Sequence, residues 1–169
     1  MTRLLDRGPA TPLRSLYAHI PFCTDRCTYC AFATIADDPD LHGALVDALL
    51  DEFDRAATLP DSLETVYLGG GTPGLLRPED LERLVSGVHR RASLAADAEV
   101  CLEVNPANVT PTSVAAWSAL GVTRLSMGVQ TFADAPLREL GRHHDGEQAR
   151  RALDTLAEQW VGPWSVDLL

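Results

Sequence analysis

Cys23, Cys27 and Cys30 lie in the stretch Phe22-Cys-Thr-Asp-Arg-Cys-Thr-Tyr-Cys-Ala-Phe32, a Cys-x3-Cys-x2-Cys run. Three soft thiolates this close together form a metal site one ligand short. A structural zinc ion is almost always closed by four protein ligands, whereas an iron–sulfur cluster is held by cysteines at spacings that vary with its class. A cluster held by three cysteines leaves one iron open to another ligand. His19, four residues before Cys23, would complete a Cys3His zinc set, and on spacing alone that alternative stays open, although His19 falls in a strand pattern rather than a ligand loop. A disulfide framework fits poorly, because three thiols cannot all pair with one another and Cys101 is far along the chain.

Gly69-Gly-Gly-Thr-Pro73-Gly74 is the second candidate, and it formally satisfies the G-x-G-x-x-G pattern of dinucleotide sites. In that fold the helix starts inside the motif so that its N-terminus meets the pyrophosphate; here Pro73 interrupts it and the helical pattern begins near Pro78. No Gly-Lys-Ser/Thr follows, which excludes a P-loop. What remains is a plain turn, or a glycine-rich strand end whose bare backbone can approach a ligand closely.

The elements that must carry these loops read as repeated strand–helix units. Strands are expected at Ser15–Ile20, Thr65–Gly69, Glu99–Asn105, Arg124–Gln130 and Ser165–Leu169. Asp38-Pro39 caps and opens a helix with Leu41, Leu45, Ala48, Leu49 and Phe53 on one face. Pro78 opens a second helix, with Leu81, Leu84, Val85 and Val88. Thr110-Pro111 opens a third that stops at Gly121, and Asp145 caps a fourth along Ala149, Ala152, Leu153 and Leu156.

Side chains alternate along a strand. Val66 and Leu68; Val100, Leu102 and Val104; Leu125, Met127 and Val129; and Val166 and Leu168 form apolar sets suited to lie under helices. The opposite faces carry His19, Gly69, Glu103, Gln130 and Asp167, each near the C-terminal end of its strand. Any one of these alone is as well explained by a satisfied structural polar group. Five together point to a barrel that holds a ligand at its C-terminal mouth.

Composition bounds the partners. With 169 residues the chain is about one domain long, and its net charge is −10, with fourteen arginines and no lysine. No basic run tracks a phosphate backbone, which argues against nucleic acid and anionic membranes. The N-terminal stretch has no apolar run and carries Asp6, so it reads as neither a signal peptide nor a membrane span, and a reducing cytoplasm is the expected compartment. Residues 1–14 read as a flexible leader, and 15–169 as the domain. The strand pattern at 165–169 has no covering helix after it, and the expectation is therefore an N-terminal fragment of a longer protein.

Tyr17-Ala-His-Ile-Pro-Phe-Cys23, the cysteine run with Tyr29 before its last member, Gly69-Gly-Gly-Thr-Pro73, Glu103-Val-Asn-Pro106, Ser126-Met-Gly-Val-Gln130 and Val166-Asp-Leu-Leu169 together resemble the radical S-adenosylmethionine family. Within it they are similar to the HemN/HemW branch, which contains oxygen-independent coproporphyrinogen III dehydrogenase and the heme chaperones. The resemblance implies an α/β fold, a truncated, partial TIM-like (β/α) barrel with about five parallel strands. It implies a [4Fe-4S] cluster on Cys23, Cys27 and Cys30, with S-adenosylmethionine chelating the fourth iron; an external electron donor reduces the cluster, and the sulfonium is cleaved to methionine and a 5′-deoxyadenosyl radical. Tyr17, Gly70 and Glu103 match positions that contact the cluster-bound S-adenosylmethionine. Tyr29, Gly71, Thr72, Gln130, Arg142 and Asp167 match positions that contact a second one in the dehydrogenase. That enzyme decarboxylates propionates in porphyrin biosynthesis, and its branch typically has a further cysteine two residues past the third ligand, where this chain has Phe32. Phe32 tilts the expectation toward a chaperone that binds heme as cargo and hands it to acceptor proteins. Cys101 is expected to be a packing thiol and His143 and His144 exposed loop residues, with heme ligation by one of them an open alternative; Trp160 and Trp164 are expected to pack.

Overall fold

The computed structural model describes residues 14–56 and 62–169. Strands β1 (Ser15–Ile20), β2 (Phe22–Cys23) and β3 (Ile35–Ala36) precede helix α1 (Pro39–Asp54). Then come β4 (Ser62–Gly70), α2 (Pro78–Arg91), β5 (Ser93–Val104), α3 (Pro111–Ala119), β6 (Arg124–Gln130), α4 (Asp134–Glu139), α5 (Gly146–Gln159) and β7 (Trp164–Leu168). Five strands form one parallel sheet in the order β1-β4-β5-β6-β7, while β2 and β3 make a separate two-stranded ladder. Sheet order follows chain order without reversal. Right-handed crossovers therefore place α1, α2, α3 and α5 on one face, where they share the core with the apolar strand residues, and leave the other as the interior of a partial barrel.

Local chemistry sets the helix starts. Asp38 accepts from the Asp40 N–H, Thr110 and Ser113 form a reciprocal capping box, and Asp145 accepts from the Gln148 N–H at 2.7 Å; each such cap stabilises its helix by roughly 1 kcal/mol. Gly121, at φ +82°, ends α3 in the left-handed conformation that a side chain resists.

The apolar strand faces behave as expected at the centre of the sheet. Val66, Leu68, Val100, Leu102, Leu125, Met127 and Val129 are buried with Leu81, Leu84 and Val88 of α2, Trp117 of α3 and Leu156 of α5. Three expectations shift. On α1 the innermost residues are His42 and Val46, while Leu41 and Ala48 are exposed, because the helix turns its polar His42 inward to hydrogen-bond Asp37 and the Arg77 N–H. Leu168 is 60% exposed rather than covered, as β7 is an edge strand. β4 and β5 begin earlier than expected, at Ser62 and Ser93, through the pairs Ser62–Ser93 and Leu63–Leu94 upstream of a register shift between Leu63 and Thr65. The leader lies outside the described residues except for Arg14, whose carbonyl accepts from the Glu64 and Thr65 N–H groups and whose side chain pairs with Glu64.

Candidate metal and cofactor site

The cysteine loop is closed at its base by the β2–β3 ladder. The Asp37 N–H donates to the Cys23 carbonyl at 2.8 Å and the Ile35 N–H to the Pro21 carbonyl at 3.0 Å. Behind that ladder, fully buried His42 lies against the Phe22 ring, 4.5 Å between centroids. Its Nδ1 accepts from the Arg77 N–H at 3.2 Å and so carries no proton; its Nε2–H donates to Asp37 Oδ1 at 2.8 Å. One buried imidazole thus ties α1, the start of α2 and the exit of the cysteine loop together. Removing it would cost two part-buried partners a hydrogen bond each, about 1 kcal/mol apiece.

The far side of the loop docks on the segment after β6. The Thr28 N–H donates to the Leu140 carbonyl and the Thr28 hydroxyl to the Glu139 carbonyl, both at 3.1 Å, and Asp25 pairs with His143 at 2.7 Å. Arg142 reaches over the loop: Nη1 lies 3.6 Å from Cys27 Sγ, while Nη2 donates to Asn105 Oδ1 at 2.6 Å and to the Gly128 carbonyl. Asn105 in turn donates to Thr72 Oγ1 at 3.0 Å.

The glycine loop approaches from β4. The Gly71 N–H donates to the Ile20 carbonyl at 2.8 Å and the Thr72 N–H to the Phe22 carbonyl at 2.7 Å. A Cβ on Gly71 would sit 2.5 Å from the Phe22 carbonyl oxygen and 2.7 Å from that of Pro21, so this backbone crossing admits glycine alone. Beneath it, Glu103 accepts from the Tyr67 hydroxyl at 2.7 Å and the Gly70 N–H at 2.9 Å.

Cys23, Cys27 and Cys30 line one cavity at the C-terminal mouth of the sheet, together with Tyr29, Gly70, Gly71, Thr72, Glu103, Gln130, Arg142 and Asp167. Every residue matched to the cluster or to S-adenosylmethionine is therefore at the mouth except Tyr17, which lies outside the lining, stacked on Tyr67 at 6.0 Å; the strand-end residues His19 and Gly69 also lie outside it. Gln130 is held at φ +68°, an uncommon backbone state for a residue with a side chain. Sequence reasoning did not single out Asn105 or Gly128, though both stand inside quoted motifs; each acts by binding Arg142, a partner distant in the chain. Cys101 is a packing thiol as expected: it is 1% exposed, outside the mouth lining, and pushed up to about 11, mainly by burial. Trp160 is buried, while Trp164 is partly exposed.

The donor set discriminates between metals. Among the described residues no three His, Cys, Asp or Glu side chains converge as a single metal ion requires. His19 is also committed, because its Nε2–H donates to the Ala33 carbonyl at 2.8 Å and its Nδ1 accepts from the Tyr17 hydroxyl at 2.9 Å. That commitment disfavours a Cys3His zinc site. A cluster places each thiolate on a different iron, and the cysteines then need to face a common volume rather than a common point. Burial pushes the Cys23 thiol up, the Thr72 hydroxyl opposes it, Cys30 and Cys27 push it further up, and Arg142 pulls it down.

His143 is exposed as expected, but His144 is 5% exposed and donates from Nε2 to the Val129 carbonyl at 3.0 Å. Burial, and then the Arg142 charge, hold its pKa below the usual histidine value. The folded state thus favours the neutral ring: the associated stability is complete above about pH 6.5 and is lost as pH falls through the lowered folded value. Thermal melting followed from about pH 7.5 to about pH 5.5 will show a shallower fall in His144→Gln, which keeps a donor but cannot titrate, than in the wild type.

Comparison with known proteins agrees with this geometry. The Radical SAM superfamily model matches residues 17–167. The chain is 37% identical over 161 residues to the heme chaperone HemW of Escherichia coli, covering 94% of this chain and 43% of that protein. It is 41% identical over 157 residues to the heme chaperone HemW of Mycobacterium tuberculosis, with 89% and 40% covered. The bovine mitochondrial radical S-adenosyl methionine domain-containing protein 1 is 39% identical over 167 residues, with 96% and 37% covered. The chain thus spans about two fifths of the length of these relatives. The solved structure of coproporphyrinogen III oxidase (HemN) from E. coli, a radical SAM enzyme, superposes with a TM-score of 0.83 at 31% identity, over 96% of this chain and 38% of that one. With the cysteine loop, the glycine loop and the strand-end residues from His19 to Asp167 inside the matched span, the chain belongs to the Radical SAM superfamily.

Proposed function

We propose that this chain forms the cluster- and S-adenosylmethionine-binding part of a HemW-like heme chaperone, which binds heme and transfers it to acceptor proteins. The observation that carries the reading is Phe32, 63% exposed on the rim of the mouth where the dehydrogenase branch typically has a further cysteine. An exposed aromatic there offers a hydrophobic face and no thiol. Support at the level of relatives comes from the HemW chaperones, 30–41% identical to this chain.

Cys23, Cys27 and Cys30 would hold a [4Fe-4S] cluster, which when bound supplies a one-electron donor and an open iron for the amino and carboxylate groups of S-adenosylmethionine. Glu103, held by Tyr67 and the Gly70 N–H, presents a fixed carboxylate to an ammonium or ribose hydroxyl. The bare backbone at Gly70 and Gly71 lets the glycine loop close against the His19 ring and the Pro21 and Phe22 carbonyls, which fixes its position at the mouth. Tyr17 reaches the site only along the Tyr67 stack, and its expected contact is the least direct of the set. Thr72, Asn105 and Arg142 join the two loops by hydrogen bonds, so the mouth is organised before a ligand arrives. No helix among the described residues is long and apolar enough to cross a membrane.

The high structural similarity to HemN favours a second reading, coproporphyrinogen dehydrogenase activity. Heme titration of the full-length protein, beside an anaerobic assay for protoporphyrinogen formation, separates the two. The chaperone reading predicts saturable heme binding and no decarboxylation; turnover of coproporphyrinogen III would overturn it.

A further inference from the structure

We propose that Arg142 sets the reduction potential of the cluster by donating an N–H to the Cys27 sulfur. Resting on the cluster assignment above, this role is separate from the contact with a second S-adenosylmethionine implied by resemblance. The guanidinium is immobilised: Nη2 is taken by Asn105 Oδ1 and the Gly128 carbonyl, which aims Nη1 at Cys27 Sγ, 3.6 Å away. Asn105 is itself held by Thr72, whose N–H is bound to the Phe22 carbonyl next to Cys23. A single chain of hydrogen bonds therefore runs from the peptide preceding the first cysteine to the sulfur of the second. The segment carrying Arg142 is also clamped to the cysteine loop by the Thr28 bonds to Glu139 and Leu140 and by the Asp25–His143 pair, which keeps the donor in register with the sulfur. Arg26, the other guanidinium in the lining, donates to the Cys30 carbonyl.

Hydrogen bonds to cluster sulfurs and nearby positive charge are among the factors that set a cluster's potential. An N–H donor withdraws electron density from the thiolate, and a fixed positive charge in a partly water-excluded mouth favours the state that has gained an electron. In the reaction concerned, [4Fe-4S]2+ takes one electron from an external low-potential reductant to give [4Fe-4S]+, with no bond broken. Arg142 favours the product of that step.

The test is an anaerobic redox titration of the reconstituted protein, read by the paramagnetic resonance of the reduced cluster, on the wild type, Arg142→Gln, Arg142→Lys and Asn105→Ala. Arg142→Gln is expected to lower the ratio of reduced to oxidised cluster about tenfold at the wild-type midpoint, a shift of about 59 mV for one electron. Arg142→Lys keeps the charge but cannot bridge Asn105, Gly128 and Cys27 together, so its midpoint falls between the two. Asn105→Ala frees the guanidinium and shifts the midpoint the same way by less. An Arg142→Gln midpoint equal to wild type, with the cluster intact, overturns the proposal. If Arg142→Gln does not retain a cluster, unchanged midpoints in Arg142→Lys and Asn105→Ala overturn it instead, and lowered ones sustain it. A wild-type protein that assembles no cluster would refute the cluster assignment itself, and the two failures are thereby told apart.

Discussion

Cys27→Ser is expected to abolish stable cluster assembly while leaving the fold intact. A serine hydroxyl holds its proton near neutral pH and presents a hard oxygen where iron–sulfur chemistry uses a soft thiolate. Cys27 is well placed for a clean result, because it lies on a loop, outside the hydrophobic core, and the loop stays fastened by the Thr28 bonds and the β2–β3 ladder. After anaerobic reconstitution with iron and sulfide, the broad visible absorption and bound iron should fall on the order of tenfold or more, with the far-ultraviolet circular dichroism unchanged. A variant that kept a full cluster and bound S-adenosylmethionine normally would remove Cys27 from the ligand set.

Gly71→Val is expected to disable the mouth from the opposite side. The added Cβ would meet two backbone oxygens, of Phe22 and Pro21, at 2.5 and 2.7 Å, and backbone atoms cannot rotate away as a side-chain tip can. Making room means pulling the glycine loop off β1. That move stretches the Gly71 to Ile20 and Thr72 to Phe22 hydrogen bonds and displaces both Cys23 and Thr72. Overpacking of this kind costs about 1–3 kcal/mol. The larger effect falls on the ligand, since a displacement of one loop by about 1 Å is enough to spoil a preorganised site by roughly a hundredfold. S-adenosylmethionine affinity of the reconstituted protein, measured by equilibrium dialysis, should drop by at least tenfold. Gly121→Ala provides the contrast: a Cβ there meets nothing within 4 Å, so only the left-handed backbone resists, at roughly 1–2 kcal/mol of stability. Equal affinity loss in the two variants would place the Gly71 effect in global stability rather than in the crossing.

Much of the site was legible because its parts are local. The Cys-x3-Cys-x2-Cys run and the glycine loop are continuous in sequence, β1 and β6 fall where their apolar alternation places them, and Asp38, Thr110 and Asp145 cap the helices they announce. Glu103, Gln130 and Asp167 were found by strand parity, since a period of two leaves each on the face opposite the core residues. The same rule miscast Leu168, because parity says which way a side chain points but not whether a helix covers it. On α1, Leu41 reads as a core position by type, yet His42 is the buried residue, satisfied by Asp37 and Arg77.

The sequence by itself determined the donors and their order along the chain, together with the repeating strand–helix pattern that sends each strand's C-terminal end to one mouth. Those properties follow from residue type and short-range period. Only the tertiary structure decided what each donor faces: that Arg142 lies against the Cys27 sulfur, that Asn105 joins Arg142 to Thr72, and that His19 is already bound and so withdrawn from any metal. Such pairings bring together residues tens of positions apart, and they are selected by the sheet register and the crossing of two loops, which no local pattern encodes.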